Sequence, residues 1–264
     1  MPNEGSGSLS RIFAIAKNAF REAVRDRILY NLILFVLLIT ASAIFLGEMT
    51  AGQEARVIVN LGLGTMLVFG AFISIFVGVS LVWKEIEKRT VYSIFSKPVG
   101  RGEFIVGKYL GLCQTLLVNV AVMGIGVTLA LLYVGGGKFA LSIWQAALLI
   151  FLELTILTAV AIMFSSFSTP ALSALLTFFI FIIGHFSASL RDLAQVIESR
   201  PAKLVFDAIY YLLPNLSHFS FNTEASNGMT LPLSMLGGAV LYAAIYNIIL
   251  LTATVLIFSR RNFK

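Results

Sequence analysis

The chain has 264 residues, of which 58% are hydrophobic and only 12% are charged, with a formal charge of +6. Soluble domains average about 45–50% apolar and about 25% charged residues, so a soluble fold of this length could not bury so much apolar surface. The composition excludes an ordinary cytosolic enzyme and a disordered chain, and the single cysteine excludes a disulfide-rich secreted module. Because the apolar stretches are continuous rather than alternating, we predict membrane-spanning helices rather than a barrel.

The first predicted element is an amphipathic helix over 9–27. Its apolar residues recur at spacings of three and four, and most of its arginine and lysine residues occupy the other face. A hydrophobic segment follows without a linker, which favours a helix lying in the membrane interface over a solvated helix that precedes the first span. We therefore divide the chain into an N-terminal region, 1–27, and a transmembrane domain, 28–264.

Six hydrophobic segments follow, each close to or above the roughly 20 residues that cross a hydrocarbon layer of about 30 Å. They are 28–47, 57–82, 104–134, 144–164, 171–190 and 236–258. Small residues at 41–43 resemble a signal-peptide cleavage site, but the patterned stretch before them and the apolar residues after them favour an uncleaved span. The predicted fold is an all-α polytopic membrane protein with six transmembrane helices.

The basic residues divide unequally between the two sides of such a fold. With both termini on one side, 14 of the 19 lysines and arginines lie on that side and 5 on the other. Cytoplasmic segments carry the excess of positive charge in membrane proteins, so we predict that both termini are cytoplasmic. Topology and contact with lipid headgroups then account for the positive charge, and nucleic acid is not needed as a partner.

Two loops are long enough to fold on their own. The loop at 191–235, predicted to be external, contains an amphipathic stretch at 201–213 that fits either a helix on the outer leaflet or part of a cap folded over the spans. The loop at 83–103, predicted to be cytoplasmic, begins with charges of both signs and continues with an apolar patch at 91–95. A short helix with exposed charges and an apolar patch is typical of a docking element, with an ordinary loop in contact with lipid headgroups as the alternative.

Signatures of catalysis or of metal binding do not occur in the sequence. The two histidines, His185 and His218, are too far apart in sequence and environment to suggest a metal site by themselves. Residues 102–108 match the spacing of a phosphate-binding loop, but Tyr109 replaces the Ser or Thr that would contact Mg²⁺, and no strand precedes them. We therefore expect a protein that is not an enzyme and that binds no cofactor or metal itself.

Two ionisable side chains fall within predicted spans. A charged carboxylate at the bilayer centre costs at least about 2.5–3.5 kcal/mol, so Glu153 must face a cavity or a partner, or be protonated. It either lines a translocation pathway or forms a hydrogen bond with a Ser or Thr hydroxyl of another span. His185, near the outer end of the fifth segment, is the second candidate for the pathway, with a location at the interface as the alternative.

Small residues recur at helical spacing in two segments. Gly70, Ser74 and Gly78 are four residues apart in the second segment, and Gly107 and Gly111 repeat this spacing in the third. Residues four apart share a helix face, and small side chains allow two helices to approach closely. The first stripe serves either packing within the chain or a seam between two chains of a dimer.

The 83–103 loop resembles the signature of type-2 ABC transporter permeases, especially the branch grouped with copper-enzyme-maturation permeases. That signature has two acidic residues and a threonine, then apolar residues, then Ser-Lys-Pro-Val-x-Arg-x-Glu-Phe and Gly-Lys. The matching residues here are Glu85, Glu87, Thr90, Ser96, Lys97, Pro98, Val99, Arg101, Glu103, Phe104, Gly107 and Lys108. Many relatives have glycine in place of Arg89. The resemblance extends over the whole chain, including the Leu-Pro-Asn-Leu element at 213–216.

The resemblance implies an export permease powered by a separate protein. Two permease chains, identical or related, would pair in the bacterial inner membrane, and two ATPase subunits holding ATP and Mg would dock on the cytoplasmic side. Segment 83–95 would be the coupling helix, seated in a cleft of the ATPase. The residues implied to take part in coupling are Lys84, Glu85, Glu87, Arg89, Thr90 and Tyr92.

Two other function classes remain as alternatives. An ion-coupled secondary transporter would show inverted repeats with broken helices near the midplane, and no convincing repeat is visible in the sequence. An intramembrane lipid-modifying enzyme would have to use Glu153 or His185. The loop signature is the most specific feature of the sequence, and it favours the ATP-driven permease.

Overall fold

The computed structural model of the protein describes residues 4–23, 34, 35, 38, 39, 41, 42, 45, 52–87, 100–187, 189, 192 and 200–260. Its helices are α1 (Glu4–Ala23), α2 (Glu54–Glu87), α3 (Arg101–Tyr133), α4 (Ala140–Ser165), α5 (Pro170–His185), α6 (Arg200–Leu212), α7 (Asn222–Ser226) and α8 (Leu233–Arg260). Two short 3₁₀ helices occupy Gly137–Phe139 and Leu216–Phe219. These ranges contain no strand, which confirms the all-α prediction for the described residues.

Among the described residues, four helices are long and apolar enough to cross a membrane: α2, α3, α4 with the 3₁₀ turn before it, and α8. They correspond to the second, third, fourth and sixth predicted segments. The fifth is present as α5, whose 16 residues reach only about 24 Å, short of a full hydrocarbon layer of about 30 Å. Most of the first segment, 28–47, lies outside the described residues, so six transmembrane helices remain a prediction.

α4 lies at the centre of the bundle, between α2, α3, α5 and α8. Every residue over 153–162 is buried, as expected for a helix that is apolar on all faces. In its most apolar stretch 72% of the residues are buried, against 11% for α8. α8 is therefore peripheral, and most of its apolar surface faces outward.

Two helix boundaries beside the predicted 83–103 loop differ from the sequence prediction. α2 continues through Glu87, so Trp83 does not begin a separate coupling helix but lies in the last turns of α2. The lysine and glutamate residues of this stretch favour helix, so α2 continues beyond the end of the apolar segment. α3 begins at Arg101, inside the predicted loop, because the Gly100 N–H donates to Glu103 Oε2 at 3.0 Å and caps the first turn.

The two ends of the bundle differ in chemistry. At the basic end, the start of α3 meets α1, the end of α2 and the end of α8. Arg101 Nη1 donates to the backbone oxygens of Phe258 and Ser259 and so ties α3 to α8. At the opposite, cap end, residues 213–232 fold over the bundle.

The cap (residues 213–232) is fixed by side chains of α4. The backbone N–H of Leu231 donates to Gln145 Oε1 at 2.7 Å, and Gln145 Nε2 donates to the Leu231 oxygen at 3.3 Å. Ser142 Oγ donates to the Ala225 oxygen at 3.2 Å. These bonds satisfy backbone groups that would otherwise be costly to bury, so the cap is a folded part of the protein.

Asn215 joins the cap to α8 and to the residues that follow α5. Its N–H donates to the Tyr242 hydroxyl at 2.8 Å, and its Oδ1 accepts from Ser187 Oγ at 2.5 Å and from the Ser217 N–H at 3.1 Å. Gly184 of α5 provides the space for Leu216, because a Cβ at this glycine would lie 2.6 Å from Leu216 Cγ. The Leu-Pro-Asn-Leu element therefore sits at the junction of α5, α8 and the cap.

α6 occupies most of the amphipathic stretch predicted at 201–213. Its apolar side chains remain exposed, with Leu204 at 64% and Leu212 at 79%. Of the two alternatives for the 201–213 stretch, this exposed apolar face favours a helix at the membrane interface. Residues 213–232 form a folded cap, whereas α6 presents an apolar surface suited to a membrane interface.

Candidate coupling site at the basic end

α1 packs across the start of α3 over two glycines. A Cβ at Gly107 would lie 2.7 Å from Ile15 Cβ, and one at Gly111 would lie 2.5 Å from the Ala16 oxygen and 2.6 Å from Ala19 Cβ. Such distances are shorter than van der Waals contact, so only glycine permits this approach. The Gly107–Gly111 repeat therefore seats α1 within the same chain.

A buried lysine joins three helices immediately beside this seat. Lys108 Nζ of α3 lies 3.2 Å from Glu22 Oε2 of α1 and 3.1 Å from Glu85 Oε1 of α2. The lysine side chain is only 3% exposed, whereas Glu22 and Glu85 are 31% and 20% exposed. We call Glu22, Glu85 and Lys108 the Lys108 cluster.

The high free-energy cost of burying a charge explains the composition of the Lys108 cluster. An ammonium group without water must be paired and hydrogen-bonded, and two carboxylates supply this for Lys108. Because each carboxylate comes from a different helix, moving either α1 or the end of α2 away from α3 weakens the stabilisation of the lysine. The cluster therefore makes the positions of the three helices interdependent.

A second ion pair fixes the other half of α1. Arg11 Nη2 lies 3.2 Å from Glu103 Oε1 in the first turn of α3. The other carboxylate oxygen of Glu103 caps that turn through Gly100. The Arg11–Glu103 pair and the Lys108 cluster hold α1 at two points, and Arg101 adds α8, so four helices meet at the basic end.

The predicted coupling residues fall in two groups. Lys84, Glu85 and Glu87 lie in the last turns of α2, where Glu87 is exposed and Glu85 pairs inward with Lys108. The structure thus gives Glu85 an internal ion pair in addition to any role at a docking surface. Arg89, Thr90 and Tyr92 lie outside the described residues.

Glu22 is a member of the Lys108 cluster that sequence reasoning missed. An acidic residue on the polar face of an amphipathic helix looks like a solvated charge, and its partner is 86 residues away. The available signal was Lys108, a cation at the very start of the third predicted hydrophobic segment. Such a charge requires a counter-charge, and Glu22 is one of the few acidic residues predicted at the same side of the membrane.

The structure brings the two predicted pathway residues together. His185 Nε2 of α5 lies 3.4 Å from Glu153 Oε1 of α4, with side-chain exposures of 26% and 1%. His185 Nδ1 lies 3.2 Å from the Phe181 oxygen. Among the described residues, no donor is aligned for a hydrogen bond to Glu153 Oε1. In the described part of the chain, the side chain beside the buried carboxylate is therefore a histidine rather than a hydroxyl.

The small-residue stripe of α2 faces α4. A Cβ at Gly70 would overlap Leu154, one at Gly78 would lie 3.0 Å from Ala161 Cβ, and Ser74 Oγ lies 3.5 Å from the Leu154 oxygen. α4 of the same chain occupies this stripe. A seam between two chains would have to use another surface.

The described part of the chain holds no group of three or more His, Cys, Asp or Glu side chains arranged to bind a metal ion. Its distinctive polar features are instead ion pairs between helices. The Lys108 cluster links α1, α2 and α3, and the Glu153–His185 pair links α4 and α5.

The sequence of the chain is similar to a known family of proteins. Residues 13–262 match the family described as ABC-2 family transporter protein. A comparison with curated proteins finds no match to the chain. The family match does not single out the copper-enzyme-maturation branch, which stays a prediction. Because the match spans nearly the whole chain, and four helices are fit to cross a membrane, this protein belongs to the ABC-2 family and is a multi-pass permease of an ABC transporter.

Proposed function

We propose that the chain is the membrane subunit of an ATP-driven exporter and that a separate ATPase docks at its basic end. The Lys108 cluster is the observation that carries this proposal. It joins α1, α3 and the turn of α2 that leads into the predicted docking segment. An ATPase bound to that segment would act on all three helices together.

The predicted docking segment lies between α2 and α3 in the sequence. Residues 88–99 connect the end of α2 to the start of α3, and Glu85 and Lys108 lie close to those two ends. Movement of the segment would therefore be passed to both helices and, through Glu22, to α1. The 34 residues of α2 extend about 51 Å, so a tilt at the basic end reaches the cap end.

The remaining parts of the proposal follow from charge and family. The excess of basic residues supports a cytoplasmic location for the basic end and both termini, in a bacterial inner membrane. ATP and Mg would bind to the partner ATPase. A second permease chain would complete the pathway, pairing through a surface other than the α2 stripe that α4 occupies.

The Glu153–His185 pair is our candidate for a polar point on the pathway. It lies between α4 and α5, close to the junction at which Gly184 contacts the cap. Separation of α4 from α5 during opening would break the pair and hydrate both groups. The pair is also the feature that would favour proton coupling, so the experiment must test for dependence on ATP.

A cavity of about 610 Å³ at the cap end supports a largely apolar cargo. Leu149, Met229 and Met235 contribute to its lining, together with the polar side chains of His218 and Glu224. A mostly apolar wall with a few polar groups is typical of sites for small amphiphilic molecules. We propose that this cavity receives cargo on the outer side of the pathway.

The two ends of α2 provide a matched test of docking. The chain is co-expressed with a candidate ABC ATPase from the same genome, purified through a tag on the permease, and assayed for bound ATPase and for ATP hydrolysis. Glu87→Lys, at the basic end, should reduce ATPase recovery at least about tenfold. Glu54→Lys, the same change at the other end, should leave recovery unchanged. Equal recovery with both variants, or transport driven by a proton gradient without ATP, would overturn the proposal.

A further inference from the structure

α1 carries an unusual ridge on the side that does not face α3. Leu9, Phe13, Lys17 and Arg21 follow one another at spacings of four, so they line up along one edge of the helix. Leu9 and Phe13 are 70% and 64% exposed. Lys17 and Arg21 are exposed as well. The ridge is thus apolar over its first half and cationic over its second.

A groove of about 520 Å³ lies beside the apolar half of this ridge. Leu9 and Phe13 of α1 form one wall, Leu110 and Leu117 of α3 form another, and Phe151 of α4 closes the deeper end. From Leu110 to Leu117 the groove follows α3 for about 10 Å. The groove therefore runs from the helix that we place at the membrane interface toward the centre of the bundle.

The two cations beside the groove, Lys17 and Arg21, differ from the other cations of the basic end in their ion pairing. Lys108 is neutralised by two carboxylates, and Arg11 pairs with Glu103. Within the described ranges, no carboxylate forms an ion pair with Lys17 or Arg21. Because Phe13 lines the groove and Lys17 is its neighbour one turn further along α1, this positive charge begins about one helical turn from the groove.

We infer that the groove and the two cations form one binding site for a phospholipid with an anionic headgroup. One acyl chain lies in the groove against Phe13, Leu117 and Phe151, and the phosphate lies at Lys17 and Arg21. The inference rests on the proposed function only in placing the basic end at the membrane interface. It goes beyond general contact with lipid, because it assigns a position and a preference for negative charge.

Charge complementarity favours this occupant over a second copy of the chain. A symmetric contact through the groove would bring the two cationic ridges close together, and like charges would oppose it. An anionic headgroup instead gains an attraction of about 1 kcal/mol for each basic residue near the membrane surface. A zwitterionic lipid fills the same groove without this gain.

Native mass spectrometry of the purified chain tests the headgroup preference. Palmitoyl-oleoyl phosphatidylglycerol should bind at least about fivefold more tightly than phosphatidylcholine with the same acyl chains. Lys17→Gln with Arg21→Gln should lower phosphatidylglycerol binding to the phosphatidylcholine level. Arg56→Gln with Lys138→Gln removes two exposed cations far from the groove and should keep the preference. If the preference survives the first pair of changes, or is lost equally with the second, the inference is wrong.

The chain's only cysteine reports on the groove itself. Cys113 is part of the groove lining, so bound phosphatidylglycerol should slow its alkylation by N-ethylmaleimide in detergent at least about threefold. Leu117→Trp, which narrows the groove at a half-exposed position, should reduce binding of both lipids. Unchanged alkylation with lipid bound, or dimers whose formation displaces the lipid, would overturn the site. Loss of ATPase docking would overturn only the proposed function, since neither measurement here involves the ATPase.

Discussion

Lys108 Nζ lies 3.1 Å from Glu85 Oε1, so an ion pair joins the last turns of α2 to the beginning of α3. Glu85 and Lys108, on the two helices between which the predicted docking segment lies in the sequence, are therefore in direct contact. Glu22 adds α1 to the same lysine. These contacts provide a physical basis for transmitting a local displacement at this end to the whole bundle.

Replacement of the lysine should separate coupling from docking. Lys108→Met leaves two carboxylates without their cation. We expect the free energy of unfolding to fall by about 1.5–3 kcal/mol, which is the usual contribution of hydrogen bonds to charged groups. The ATPase should still co-purify, but its hydrolysis rate should no longer respond to the permease. Lys108→Arg should restore most of that response. Equal ATP hydrolysis by the wild-type and Lys108→Met complexes would contradict the role of the cluster.

The glycine seat of α1 can be tested with one added methyl group. Gly111→Ala would place a Cβ 2.5 Å from a backbone oxygen of α1, so α1 must shift, at a cost of about 1–3 kcal/mol. Gly64→Ala is the matched control, because a Cβ there meets nothing within 4 Å. It should be neutral or stabilising, since alanine favours helix. Thermal unfolding in detergent should separate the two variants, and similar midpoints would argue against a tight seat.

Glu153 and His185 should behave as one unit in a double-mutant cycle. Glu153→Gln, His185→Gln and the double variant should show an interaction free energy of about 0.5–3 kcal/mol in chemical unfolding. Assembly with the ATPase should be unaffected, because the pair lies far from the basic end. Transport of a cargo identified by stimulated ATP hydrolysis should fall with each single change. Additive effects on stability together with unchanged transport would remove the pair from the pathway.

The cap should loosen when its anchor on α4 is removed. Gln145→Ala deletes two hydrogen bonds to Leu231 and leaves buried backbone groups without partners, which costs about 1–3 kcal/mol. Hydrogen exchange over 222–232 should become faster, while exchange within α4 should not change. Gln114→Ala, at an exposed position of α3, serves as the control. If both variants exchange alike over 222–232, the anchor is unimportant.

Hydropathy predicted the long spanning helices well because lipid contact and apolar composition are directly linked. α2, α3, α4 and α8 all lie over predicted segments. The ends of the helices were less predictable, because backbone hydrogen bonding continues wherever side chains support it. α2 therefore runs on to Glu87, and α3 begins at Arg101 under the cap provided by Glu103.

The candidate sites were predictable as single residues but not as pairs. Glu153 and His185 stood out because each is ionisable within an apolar segment. Their contact depends on the register of α4 against α5, and the tight turn between these helices already suggests antiparallel packing. The spacing of Gly107 and Gly111 indicated close packing, but no sequence feature near these glycines identified α1 as the helix that packs against them.

The shortness of α5 has a consequence for how the protein is made. Its 16 residues cover about 24 Å, so roughly the last 6 Å of hydrocarbon at that position must be covered by other residues. Backbone within the hydrocarbon must have all of its polar groups satisfied, and next to the end of α5 the Asn215 N–H donates to the Tyr242 hydroxyl of α8, while the Asn215 side chain accepts from Ser187. The segment around Asn215 can therefore settle only after α8 has been synthesised and inserted, which makes closure of the cap a late event in biogenesis.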